Sequence, residues 1–71
     1  MKTLADHSAS ESVIIKQVHG DKALRLMEMG ILPGKTLHII RAAPLGFPIE
    51  VKLNGYALTL RKAEADCIEL M

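Results

Sequence analysis

Several things are scarce in this chain, and each shortage excludes a class of protein. The single cysteine, Cys67, leaves no intrachain disulfide framework and no multi-cysteine metal knot. Such usage fits a reducing compartment. There is no Trp, one Tyr (Tyr56) and one Phe (Phe47), so a chain with 3% aromatic residues must build its core from Leu, Ile, Val, Met and Ala. An excess of one charge is also missing. Nine Lys and Arg against eight Asp and Glu leave +1, which sets up no long-range field for nucleic acid or an anionic membrane. No apolar run nears the ~20 residues that cross a bilayer. The first dozen residues include Asp6, His7, Ser8, Ser10 and Glu11 and hold no signal-peptide core. At 71 residues the chain makes one domain and no two-lobed catalytic cleft. What it does have is 49% hydrophobic residues, too many for a disordered segment. These features predict a small cytoplasmic domain.

Residues 1–12 read as a polar lead-in with Leu4 as its anchor, and residues 13–71 as the domain proper. Val13 to Val18 is short and β-branched, which favours a strand. Asp21 is placed to cap a helix over Asp21 to Met29, with Ala23, Leu26 and Met27 on its inner stripe and Leu24 flanking it. Gly30 sits where that helix should stop in a left-handed conformation, and Ile31 is placed to pack back on Leu26. Pro33-Gly34 then turns the chain. From Thr36 to Ala42 the period becomes two, with Leu37 and Ile39 on one face and His38 and Ile40 on the other. After a loop over residues 43–48, Ile49 to Leu53 and Tyr56 to Leu60 flank Asn54-Gly55, the signature of a two-residue type I′ hairpin. Its register opposes Leu53 to Tyr56, Val51 to Leu58 and Ile49 to Leu60, and places all six on one buried face. Arg61 to Ala65 makes a single helical turn. Cys67 to Met71 is the last strand, with Ile68 and Leu70 inward. Five short strands and one helix predict a mainly β fold, a small closed barrel in which closure removes the sheet edges.

Catalytic chemistry is not visible. His7, His19 and His38 have no partner at a motif spacing, and there is no nucleophile elbow, Walker loop or His-Glu-x-x-His. The two glycines of Gly30 to Gly34 already serve a helix stop and a turn. A metal site would have to gather Cys67, the histidines and Met1, Met27, Met29 and Met71 from unrelated positions, so no metal and no cofactor is expected. Cys67 reads as a small core or near-core residue. Nucleic-acid binding usually needs a basic face and stacking aromatics. Here Lys52 lies beside Glu50, Glu64 follows Arg61 and Lys62, and neither aromatic makes a platform. Phe47, between Gly46 and Pro48, is either an exposed anchor for a partner or a lid folded back over a barrel end.

Three segments together resemble a known family. Leu26-Met27-Glu28-Met29-Gly30-Ile31-Leu32-Pro33-Gly34 is similar to its Leu-x-x-(Leu/Met)-Gly-(Ile/Met)-x-Pro-Gly motif. Arg41-Ala42-Ala43-Pro44-Leu45-Gly46-Phe47-Pro48-Ile49 resembles its Ala-Pro-x-Gly-Asp-Pro-(Ile/Leu) loop. Leu58-Thr59-Leu60-Arg61-Lys62-Ala63-Glu64-Ala65 resembles its (Leu/Ile)-x-Leu-Arg-x-x-(Glu/Asp)-Ala segment. The family is ferrous iron transport protein A (FeoA), and the likeness runs from about Val13 to Leu70. It implies an SH3-like barrel in the bacterial cytoplasm, a non-enzymatic accessory that binds and modulates ferrous iron transport protein B, the GTP-binding membrane permease. On that reading neither nucleic acid nor membrane insertion is expected, and a homo-oligomer is left open. Partner contacts are expected at the helix stop (Met29, Gly30, Ile31, Leu32, Pro33), in the loop (Pro44, Leu45, Phe47) and at Arg61. Phe47 stands where the family usually has Asp, which implies an apolar contact there. Stimulation of GTP hydrolysis would draw on Arg25, Arg41 or Arg61, although rim or structural roles are the simpler assignment for all three. The alternative is a small-barrel nucleic-acid-binding or regulatory module.

Overall fold

The structure, a computed structural model, describes Thr3, Leu4 and residues 11–71. The expectations for His7, Met1 and the loop around Ser8 to Ser10 fall outside the described residues. Five strands and two short helices follow in the order β1 (Ser12–Val18), α1 (Ala23–Glu28), β2 (Thr36–Ala42), β3 (Ile49–Leu53), β4 (Tyr56–Leu60), α2 (Lys62–Ala65) and β5 (Ile68–Leu70). The strands form one antiparallel sheet in the order β4-β3-β2-β1-β5. The mainly β architecture is as expected. Among the described residues no helix is long and apolar enough to cross a membrane.

Every strand turns one face inward. Val13 and Ile15 of β1, Leu37 and Ile39 of β2, and Ile49, Val51 and Leu53 of β3 are buried, as are Leu60 of β4 and Ile68 and Leu70 of β5. Residues from the two ends of the sheet share one core cluster, so the sheet must curl around it. Two register shifts, between Ile15 and Gln17 and between Ile39 and Arg41, supply local bending. Among the described residues β4 and β5 form no ladder with each other, and α2 connects them. The small-barrel arrangement is thus, among the described residues, a five-stranded sheet curled on one core, with its outer strands linked through α2. Leu4 is buried in the same core, and Thr3 pairs with Glu69 of β5.

The local punctuation follows the sequence closely. Asn54 (φ 51°) and Gly55 (φ 87°) make the hairpin turn, and the β3–β4 register is the one the pattern predicts. The helix stop forms both bonds of a Schellman motif, Gly30 N–H to Met27 carbonyl at 3.0 Å and Ile31 N–H to Leu26 carbonyl at 3.1 Å. Leu26 and Ile31 are both fully buried.

Three expectations need correction. Asp21 does not cap α1. A turn from Gly20 to Ala23 (Ala23 N–H to Gly20 carbonyl, 3.2 Å) delays the helix, and the N-cap position falls on Lys22 with no side-chain bond. Met27 is 37% exposed, because a helix of six residues against a curved sheet buries a stripe only as wide as Leu26. Tyr56 is 45% exposed and Leu58 half-buried, so the hairpin's inner face ends before its tip on β4, an outer strand of the sheet.

Candidate partner-binding surface

The helix stop meets the hairpin tip. The Tyr56 hydroxyl donates to the Met29 carbonyl at 2.7 Å, which explains why this ring keeps its polar end at the surface. A Cβ placed on Gly30 would lie 3.4 Å from the Tyr56 hydroxyl oxygen and 3.6 Å from Leu53, ordinary contact distances that bring the helix stop against the hairpin. Of the predicted contact residues in this segment, Ile31 is fully buried and belongs to the core, which withdraws it from the surface. Met29 is half-buried against the core. Leu32 (38% exposed) and Pro33 remain outside, with Leu24 and Met27 of α1 as further exposed apolar side chains.

The loop between β2 and β3 is held by Gly46 N–H to Ala43 carbonyl (2.7 Å) and Ala43 N–H to Pro48 carbonyl (3.1 Å). Phe47 packs against the core at intermediate exposure, so the folded-back alternative is the one realised. Leu45 takes the projecting position instead: it is 96% exposed, flanked by exposed Pro44. An apolar side chain at that exposure contributes almost nothing to the core.

Arg61 lies at the β4–α2 junction, where its backbone makes the cap: its N–H donates to Glu64 Oε1 at 2.9 Å, and its carbonyl accepts from Glu64 N–H at 3.0 Å. Its side chain borders a surface cleft of about 420 Å³ that is also lined by Lys22, Arg25, Pro48, Thr59 and Glu64. Arg41 lies elsewhere, its Nε 2.9 Å from Glu50 Oε1. Residue spacing gave no sign that Arg25 and Arg61 share a cleft. The only local hint is the Lys22/Arg25 separation, which puts two cations on one side of a helical turn.

Two buried polar features lie near β5. Glu69 is the described charged residue that folding buries; its carboxylate accepts from Gln17 Nε2 and lies 3.5 Å from Lys16 Nζ. The Gln17 hydrogen bond, aided by the Lys16 charge, holds its pKa below the ordinary 4.5 against an opposing desolvation effect. Cys67 packs beneath the Gly20 turn, with Sγ donating to the Ala63 carbonyl at 3.4 Å, and is half-buried beside the core. His19 Nε2 is buried without a partner among the described residues. No group of three metal-ligating side chains forms among them.

Comparison with known proteins places this geometry. The FeoA domain family matches residues 2–71. This chain belongs to the FeoA family. It is 32% identical over 65 residues to a fusion protein of Porphyromonas gingivalis (strain ATCC BAA-308 / W83), described as an Fe(2+) transport protein A/Fe(2+) transporter FeoB fusion. That match covers 90% of this chain and 8% of the much longer fusion. A FeoA-like protein of Clostridium acetobutylicum superposes with a TM-score of 0.90 at 32% identity, covering 97% of this chain and 83% of the other. The zinc complex of Stenotrophomonas maltophilia FeoA, described as a prokaryotic SH3-domain protein, gives 0.87 at 25% identity, with 100% and 91% coverage. The five-stranded curled sheet is thus the SH3-like fold of FeoA proteins.

Proposed function

We propose that the chain is a non-enzymatic accessory of bacterial ferrous iron uptake that works in the cytoplasm, binding and modulating the GTP-binding permease FeoB. The observation that carries this reading is the P. gingivalis protein, in which a FeoA partner and the FeoB transporter are one polypeptide. Covalent linkage raises the effective concentration of two domains for each other, an arrangement that matters when they engage. The likeness to S. maltophilia FeoA, described in connection with activating ferrous iron transport, points the same way. Leu32, Pro33, Pro44 and Leu45 supply exposed apolar contacts, and Arg61 a charged one.

The test is capture of the FeoB cytoplasmic region by the purified chain, with two loop variants. Leu45→Asp should weaken capture about tenfold while changing stability by no more than about 0.5 kcal/mol. Phe47→Asp should lower the melting temperature by several degrees, since it puts a charge against the core. No capture of the permease region by the wild-type chain would remove the proposal. Equal melting temperatures for the Phe47 variant and wild type would restore Phe47 as a surface anchor.

A further inference from the structure

The cleft between α1, β4 and α2 concentrates positive charge in a molecule that has almost none to spare. Lys22 and Arg25 approach it from the start of α1, and Arg61 from the β4–α2 junction. None of the three has an ion-pair partner among the described residues, whereas Lys16, Arg41 and Lys62 each do. With a net charge of +1 for the whole chain, this is a local excess rather than a general one. The lining carboxylate, Glu64, already accepts the Arg61 N–H, so it is held by the cap of α2.

We propose that this cleft receives an acidic peptide segment of a protein partner, an inference that rests on the reading of the chain as a protein-binding accessory. Each guanidinium is a planar fork that matches a carboxylate through two parallel hydrogen bonds, and two of them flank one cleft. The Thr59 hydroxyl adds a neutral donor, while Pro48 and Ala63 give apolar wall for side-chain stems. A volume of about 420 Å³ exceeds what one tetrahedral anion fills. No aromatic side chain lines it, so a nucleotide would find cations for its phosphates but no ring on which to stack its base. Pro48, on the cleft wall, ends the loop that carries the exposed Leu45.

The experiment is a nuclear magnetic resonance titration of the full chain with a hexaglutamate peptide at low salt. Saturable shifts are expected at the amides of Arg25, Thr59, Arg61 and Ala63. The double variant Arg25→Gln/Arg61→Gln should raise Kd about tenfold with its melting temperature retained, because α2 is capped by the Arg61 backbone and not its side chain. Arg25→Lys/Arg61→Lys should recover part of the affinity, since charge returns without the fork. Arg41→Gln, outside the cleft, should leave Kd within about twofold. Three outcomes overturn the proposal: no saturable shift up to about 10 mM peptide, equal weakening by Arg41→Gln, or inorganic phosphate moving the same amides at lower concentration than the peptide. The permease is absent from this titration. Failure to capture FeoB would therefore leave a positive result standing, and a negative one would leave capture through the Leu45 loop intact.

Discussion

Glu69 sits in β5 with its carboxylate held by Gln17 and Lys16 of the neighbouring strand, and this arrangement makes stability depend on pH in a definite direction. Its pKa in the folded chain lies below the unfolded value near 4.5. Above that value the group is ionised in both states and its contribution is complete. As pH falls from there through the folded pKa, the unfolded chain takes up the proton first, and the contribution disappears. Glu69→Gln should therefore be less stable than wild type at neutral pH and show a shallower loss below pH ~4.5, read from melting temperatures across that range. Parallel curves for the two proteins would remove the assignment. Neither the burial of Glu69 nor its Gln17 partner was legible in the sequence, because Gln17 and Glu69 meet only when the first and last strands pair. Phe47 shows the same limit. A loop residue between glycine and proline has no periodicity to say which way it points.

At the scale of elements, the helix stop and the hairpin turn were legible because their chemistry is local. Gly30 adopts φ +96°, a conformation that costs an L side chain energy, and the bonds it permits span only the preceding turn. Gly30→Ala should cost about 1–2 kcal/mol from backbone strain at its positive φ. In a domain of this size that is a fall in melting temperature of roughly 4–8 °C per kcal/mol. An unchanged melting temperature would show that the stop tolerates a side chain. The capping of α1 by Asp21 failed for an equally physical reason: a preceding turn competes with the helix for the same residues, and sequence does not say which ends first. Arg61 illustrates the converse, since the Glu64 carboxylate three residues ahead stabilises its N–H within one short element.

For the whole molecule, the decisive fact is that one sheet wraps one core. Leu4 precedes all five strands yet is buried with them, and Thr3 pairs with β5. Leu4→Ala should cost about 2–5 kcal/mol, a large fraction of the stability of a domain this small. Denaturant unfolding midpoints measure it, and a loss below about 0.5 kcal/mol would place Leu4 outside the cooperative core. The strand count, strand order within the hairpin, positions of turns and aliphatic make-up of the core follow from the sequence alone, because period, glycine placement and side-chain volume act over a few residues. The curl of the sheet around its core, the exposure of Tyr56 and Met27, the inward turn of Phe47 and the meeting of Arg25 with Arg61 were settled by tertiary structure. Each depends on which distant segments share a face once the sheet bends, and no local preference encodes that.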